Sequence, residues 1–504
     1  NNCVASELGN MDIDEDNQQS GSSQTQPSRR IIATVDEAHP FDLESYIANY
    51  TGRTAIDRLI HILQTCPSIA PDAFQLAVQH IHQSRDPSLY QNLLSAYEQL
   101  STIPDLPIAL PNPMEIAQLD TRWADETMAK NQAEKVKLEV ELKTYTNNMI
   151  KESIRMAHRD LGDFYRSIGE YSSALKHLTK SREYCTTSQH VLDMCLSVLE
   201  LLLEQRNYNH IPTYVFKADA ALDATVNAAN IGNGNGTGGG GSGGAQAPTV
   251  TVGSKKKTSA ERQNVQSKLD LATAISHLGQ SNYEKAALSF LRLGPPKELG
   301  DWIGKIVSPG DIAIYGTLCA LSSLPRHTLK VQLLDNATFG LYLEQEPYIR
   351  ELIEAYMGSD FKTVLELLSR YSTRHLIDIH LSTHMAELTN QIRNWAVVLY
   401  FQPFATIKLD RMSKAFGWTL EEVEANVVQL IQAGNIQGRV DSQNKILYAK
   451  KTDYRAELFA RAIKAGNDMQ AANRKLLLRM KLQQADLTIK APKSSQHHTT
   501  GDRE

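Results

Sequence analysis

From about Asp42 onward, apolar residues recur at the spacing of an α-helix and continue to do so along most of the chain. In AIDRLIHILQ, Ile56, Leu59, Ile60 and Leu63 fall on one face. DPSLYQNLLSAYEQL repeats the pattern with Leu89, Leu93, Leu94 and Tyr97. A period of about 3.6 scatters apolar side chains over both faces of a strand but gathers them on one face of a helix, so the region up to about residue 226 is restricted to packed helices. Pro104, Pro107, Pro111 and Pro113 interrupt the run with a loop, after which one long helix is expected from about Met114 to Ile154.

The segment RDLGDFYRSIGEYSSALKHLTKSREYC narrows the arrangement. Leu161, Gly162 and Tyr165, followed by Gly169 at a turn and Ala174 in the next helix, fit the L-G-x-x-Y…A spacing of tetratricopeptide-type hairpins. Small Gly162 and Ala174 let two helices approach, while Leu161, Tyr165 and Leu178 fill the seam. LGQSNYEKAALSFLRL puts Tyr283 and Ala286 at the spacing of Tyr171 and Ala174, and MGSDFKTVLELLSRY is a looser third copy. Hairpins stacked in this way form an α-solenoid, an architecture suited to binding proteins.

Composition bounds the rest. A chain of 504 residues with 41% hydrophobic and 22% charged residues can bury two or three cores. A net charge of -5 gives no global attraction to nucleic acid or to an anionic membrane. Cys3, Cys66, Cys185, Cys195 and Cys319 are scattered without a C-x-x-C pair, the pattern of reduced thiols in an intracellular protein. The densest apolar run, WAVVLYF, is far shorter than the roughly 18 residues of a membrane span, so a soluble chain is expected. Residues 1–40 and 486–504 read as polar disordered tails, and residues 227–263 as a Gly-rich insertion unable to bury a core. GNGNG within it has no strand before it and no helix starting on it, so no nucleotide site is expected. Lys255 to Lys257 fit a solvated charge run as well as a nuclear-import patch.

Residues 388–450 have the layout of a winged helix. Leu388, Ile392, Trp395 and Leu399 mark a helix that Pro403 ends, ATIKL is β-like, and Leu409, Met412 and Phe416 mark a two-turn helix closed by Gly417. Thr419 and Glu422 form a capping box, and the helix it opens turns Leu420, Val423, Val427, Leu430 and Ile431 inward before Gly434 stops it. NIQGRVDSQNKILYAK supplies the two strands of the wing. Such modules often bind DNA, but here the helix that would enter the groove carries Glu421, Glu422 and Glu424 and neither Lys nor Arg. Phosphate binding needs cations on that face, so the charge pattern argues against nucleic acid and for a packed helix in a protein-binding module.

Beyond the wing, Leu458, Ala462, Ala465, Met469, Ala472 and Leu476 alternate four and three residues apart, the spacing of a helix that packs lengthwise on other helices. Thirty residues at 1.5 Å each give a rod about 45 Å long, more than the small module can cover, so partner chains are expected along it. From Lys451 onward cations outnumber acids, which makes this end the one place for a weak polyanion contact. No catalytic site emerges. His380 and His384 have the spacing of a zincin helix, but Leu381 stands where the general-base Glu belongs, and His80 and His82 lack the S-x-x-D that would complete a metal-dependent deubiquitinase set. No cofactor, metal or small-molecule substrate is expected.

Helical repeats leading to a winged helix and a terminal packing helix resemble the PCI-domain architecture of large multisubunit complexes. The repeat segment RDLGDFYRSIGEYSSALKHLTKSREYCTTSQHVLDMCLSVLE, the stretch GDIAIYGTLCALSSLPR and the module QPFATIKLDRMSKAFGWTLEEVEANVVQLIQAGNIQGRVDSQNKILYAK are similar to the subunit-one family of the COP-nine signalosome. The likeness runs from about Phe41 to Leu482 and spares the acidic tail and the Gly-rich insertion, which depart from the family pattern. It implies an all-α dominated fold: an α-solenoid over 41–226 and 264–387, a winged-helix PCI module with a small β wing over 388–450, and a C-terminal bundle helix over 451–485. It also implies a non-catalytic scaffold, in the cytoplasm and nucleus, of the complex that removes the ubiquitin-like modifier Nedd from cullins and so regulates cullin-RING ubiquitin ligases, with the second and third subunits as neighbours. Carried onto this chain, Arg439, Val440, Ile446 and Tyr448 would lie at or near a pairing edge of the winged helix, and Leu458, Ala462, Met469 and Leu476 would face the bundle. The paralogous PCI subunit of the proteasome lid has the same layout and is the alternative within the class. A winged-helix nucleic-acid binder using Arg439 and Lys445 is the alternative outside it.

Overall fold

The computed structural model describes residues 33–102, 110–117, 120–231, 252–450 and 454–487, and the chain divides into two compact units at Ala396/Val397. In the first unit the helices of eight residues or more are α1 (Gly52–Thr65), α2 (Ala70–His82), α3 (Ser88–Ser101), α4 (Thr121–Asn147), α5 (Lys151–Ser167), α6 (Tyr171–Lys180), α7 (Ser188–Glu204), α8 (Ile211–Ile231), α9 (Val252–Gly279), α10 (Tyr283–Leu291), α11 (Pro309–Ser323), α12 (Pro347–Gly358) and α13 (Phe361–Arg370), with α14 (Met385–Phe401) running across the division. Neighbours in sequence pack as neighbours in space: α1 with α2, α5 with α6, α7 with α8, α9 with α10 and α12 with α13.

The three hairpins singled out by their sequence share a turn chemistry. Each reverses on a residue in the left-handed region, namely Gly169 (φ 83°), Ser281 (φ 59°) and Ser359 (φ 64°). At the first, a Cβ on Gly169 would lie 2.3 Å from Asp86 Oδ2, so glycine is required by space as well as by φ. Gly162 is the point of closest approach between α5 and α6, where a Cβ would lie 2.7 Å from Leu178 Cδ2. Leu161, Tyr165, Ala174 and Leu178 are buried along that seam.

The long helix expected over 114–154 is divided. A helical turn at Pro113–Ile116 precedes α4, Asp120 starts α4 by accepting from Trp123 N at 3.0 Å, and Met149 (φ 53°) separates α4 from α5. The Gly-rich insertion is helical at both ends, since α8 continues to Ile231 and α9 begins at Val252; all of its glycines but Gly253 lie in 232–251, outside the described residues. At the other margin, Ala33 is buried and its N–H donates to Thr65 O at 2.8 Å, so the polar N-terminal stretch ends in an anchored residue.

A buried ion network ties distant parts of this unit together. Arg58 sits on the inner face of α1 beside Ala55, Leu59 and Ile62, with no exposed surface. Its guanidinium reaches Asp311 Oδ2 at 3.0 Å and Asp378 Oδ2 at 2.7 Å, bonds the Tyr46 hydroxyl and lies 4.0 Å from the Tyr50 ring centroid. Asp311 is also the N3 residue of the capping box that opens α11, and it accepts from Tyr50 and Arg374. Asp378 accepts from Tyr315 at 2.6 Å. Burial alone would raise the Asp378 carboxyl, but Arg58, His380 and Arg374 hold it well below the usual carboxylate range.

In the second unit the sheet order is β1-β3-β2, all antiparallel, with β1 Thr406–Lys408, β2 Gly438–Asp441 and β3 Ile446–Ala449. Helices α15 (Leu409–Phe416) and α16 (Leu420–Gln432) lie between β1 and β2 in the chain. Ile407, Met412, Phe416, Val423, Val427, Leu430 and Leu447 form its small core, while Leu420 and Ile431 are only half-buried. Helix α17 (Tyr454–Gln484) follows.

Two predictions follow from the buried charges. Arg58→Met leaves Asp311 and Asp378 without their shared cation and should lower unfolding stability by about 3–5 kcal/mol in thermal or denaturant melts. Burial lowers His380 and His158 from 6.5 to about 4. Because these values lie below those of the unfolded chain, protons are taken up preferentially by the unfolded chain once the pH falls below 6.5. The melting temperature should therefore be flat above about pH 7 and fall as the pH drops from 6.5 to about 4. His380→Gln should flatten the slope.

Candidate functional site

The winged helix ties several of its charges to one another and to its own backbone. At the start of α16, Thr419 Oγ1 accepts from Glu422 N at 3.3 Å and Glu422 Oε2 accepts from Thr419 N at 3.0 Å, so the two groups close the capping box on each other. One turn on, Glu424 accepts from Lys445 Nζ and from Ser442 Oγ, both at 2.6 Å. Those bonds hold the Glu424 carboxyl below its ordinary range and fasten the wing turn to the helix. Asp441 Oδ1 accepts from the N–H of Gln443 and of Asn444, which lets Lys445 take a positive φ of 52° and reverse the chain. Lys445, one of the two cations a nucleic-acid surface would need here, is thus tied to an acid, and the other, Arg439, lies 5.7 Å from the Tyr448 ring centroid.

Strand β3 is the middle strand, paired through Ile407↔Leu447 on one side and Val440↔Leu447 on the other. The backbone edges of this sheet therefore belong to β1 and β2. Arg439 and Val440 lie on edge strand β2, whereas Ile446 and Tyr448 lie on β3, where both ladders are used; they offer half-buried side chains and no open backbone. Of the four residues expected at or near a pairing edge, Arg439 and Val440 are thus on an edge strand and Ile446 and Tyr448 on the strand beside it, because the short ATIKL segment forms β1 and pairs with the second side of β3. Gly438 opens β2 at a point where a Cβ would come within 2.7 Å of Tyr448 O.

Helix α17 has 31 residues, and every described side chain from Arg455 to Leu487 is exposed. Leu458 is 66%, Met469 68% and Leu476 56% exposed, and Ala462 shares that exposure. Phe459, Ile463, Leu477 and Met480 widen the apolar surface beyond the residues that the four-three spacing picks out. Leucine and phenylalanine side chains left in water at this density mark a contact surface.

The histidine pairs take structural roles. Residues 377–384 are turn, so His380 and His384 do not share a helical face; His380 Nδ1 lies 2.7 Å from Tyr208 OH and His384 Nδ1 3.3 Å from Tyr283 OH. His82 lies edge-tilted beside Trp123. Among the described residues no group of three or more His, Cys, Asp or Glu side chains is placed to hold a metal ion, and no helix is long and apolar enough to cross a membrane. Trp395, expected on the inner face of α14, is 46% exposed, and Ala396 is buried instead.

Comparison with known proteins agrees with this architecture. The family model described as 26S proteasome subunit RPN7 matches residues 120–332, and the PCI domain model matches residues 368–451. COP9 signalosome complex subunit 1 of Arabidopsis thaliana is 33% identical over 469 residues, covering 92% of this chain and 93% of the relative. COP9 signalosome complex subunit 1b of Drosophila melanogaster is 31% identical over 494 residues, covering 91% and 88%. The 26S proteasome non-ATPase regulatory subunit 6 of Oryza sativa subsp. japonica is 20% identical over 321 residues, covering 63% and 77%. Helical repeats, a winged helix matched by the PCI model and these identities over nearly the full length lead to one assignment: the chain belongs to the COP9 signalosome complex subunit 1 family.

Proposed function

We propose that the chain is a non-catalytic scaffold subunit of a COP9 signalosome, working in the cytoplasm and nucleus and supporting removal of Nedd from cullins and hence the regulation of cullin-RING ligases. The observation that carries this is the uncovered apolar surface of α17: Leu458, Met469 and Leu476 are exposed in the chain alone, and helices from neighbouring subunits would bury them. The free edges at β1 and β2 offer a second mode, strand addition to the winged helix of an adjacent subunit, with the second and third subunits as the expected neighbours. The repeats of the first unit then serve as the arm that other components meet. The pairing of Lys445 with Glu424 supports assembly over nucleic-acid recognition.

Affinity purification with mass spectrometry of the intact chain, of a chain truncated after Lys450, and of a Leu458→Asp, Met469→Asp, Leu476→Asp variant tests the proposal. Signalosome subunits should co-purify with the intact chain and be lost from both altered forms. A chain that stays monomeric, or whose partners survive the truncation, contradicts it, and co-purification of proteasome in place of cullins would move the chain to the lid. Duplex DNA at low salt should show no binding that Lys445→Ala or Arg439→Ala abolishes.

A further inference from the structure

The α5–α6 seam brings two histidines face to face. His158 lies three residues before Leu161 and four before Gly162, so it shares the face of α5 that meets α6, and His177 lies three residues after Ala174 on the answering face of α6. Gly162 lets the helices close until a Cβ there would collide with Leu178, and the two imidazoles then meet with Nδ1 3.1 Å from Nδ1. Aromatic rings flank the pair on both sides. Tyr184 stacks on His158 with 5.9 Å between centroids, and Tyr165 stacks on His177 at 5.3 Å. His158 is 4% exposed, whereas His177 is half-buried.

A contact of this length between two ring nitrogens holds one hydrogen. With none, two lone pairs oppose each other; with two, a pair of N–H groups does. In the neutral pair one ring is therefore the Nδ1–H tautomer and donates, and the other is the Nε2–H tautomer and accepts. A first added proton can sit on Nε2 of the donor and leave the bond intact, whereas a second must go to the accepting Nδ1 and break it. The surroundings decide which ring is which. Burial, Lys176 and Lys180 of α6 hold His177 down, but Glu139 of α4 favours a charge on it. His158 is buried more deeply and meets only positive neighbours, His177 once protonated and Lys180, which together with burial push it down to about 4. Lys135 of α4 is engaged over the Tyr165 ring, and neither the turn at Ser181–Tyr184 nor α7, which packs against α6, adds a charge that acts on either imidazole. His177 is thus the donor and takes the first proton, and His158 is the acceptor. Both rings bind protons more weakly here than in an unfolded chain, so acid favours the open seam.

We propose that His158 and His177 form an acid latch on this hairpin: they share one hydrogen between their Nδ1 atoms, with His177 donating, and the seam stays closed while the pair carries one added proton and opens when a second reaches His158 Nδ1. The latch lies within the first unit and does not depend on the scaffold assignment. Ring nitrogen spectra of the full chain labelled with 15N-histidine, assigned with His158→Gln and His177→Gln, read the tautomers. Above about pH 7, His177 should show a protonated Nδ1 and His158 a protonated Nε2, and on acidification His177 should titrate first. Hydrogen exchange, corrected for the intrinsic pH dependence of amide exchange, reads the opening. As the pH falls from 6.5 to about 4, the α6 amides should lose about tenfold or more of their protection while those of α1 keep theirs. In His177→Gln the amide oxygen can accept from a protonated His158 Nδ1, and the loss should shrink to about threefold or less. The opposite tautomers, His158 titrating first, or α6 exchange that follows α1 at every pH or that His177→Gln leaves unchanged would overturn the proposal.

Discussion

One guanidinium holds the first unit to itself. Arg58 lies on α1 near the start of the described chain, and its two carboxylate partners are 253 and 320 residues away in sequence. A helical solenoid is ordinarily held by neighbour-to-neighbour packing, so its two ends are only weakly coupled. Here a fully buried cation shared by Asp311 and Asp378 closes the first helices onto the last ones, and Arg374 reinforces the same point by also pairing with Asp311. Removing two charges from water costs several kcal/mol per ion, so such a pair adds little net stability while it is intact; broken, it leaves a bare charge in the core. Its effect is on arrangement: α1 and α11 can meet in the register that puts Arg58 between two aspartates, and few others.

That network also marks the limit of what the amino-acid sequence discloses. Periodicity placed α1 and three of its inward residues, yet Arg58, between Ile56 and Leu59, looks like the polar exception on an apolar face. The signal was present in retrospect, since Ala55, Arg58 and Ile62 form one stripe, but its partners lie hundreds of residues away and no local pattern names them. Local chemistry was legible where the interaction itself is local. The capping box of Thr419 and Glu422, the left-handed stops at Gly417 and Gly434 and the Gly162–Leu178 approach all involve residues close in sequence. Features that depend on distant residues or on single breaks are less legible. The breaks at Asp120 and Met149 are invisible to a count of apolar spacing, and the central position of β3 depends on a three-residue strand some forty residues earlier in the chain, whose pairing a wing motif does not reveal.

The two units differ in how completely they bury what they carry. In the first, apolar stripes find neighbours and the buried cations find carboxylates. In the second, the winged helix is self-contained, with Lys445 clamped to Glu424, but α17 holds its leucines and methionines in water along a rod about 46 Å long. A chain built this way is incomplete as an isolated molecule, which is the physical content of its membership in a family of complex subunits.

The central claim is that α17 is an assembly element whose apolar face is covered only by other chains. Hydrogen exchange of the α17 amides, compared between the isolated chain and the chain in a purified signalosome, measures this directly. The account predicts rapid exchange across Tyr454–Gln484 in isolation and strong protection in the complex, while the α1 and α11 amides around Arg58 are protected in both. Protection of α17 in the isolated chain, or exchange that assembly leaves unchanged, would contradict it.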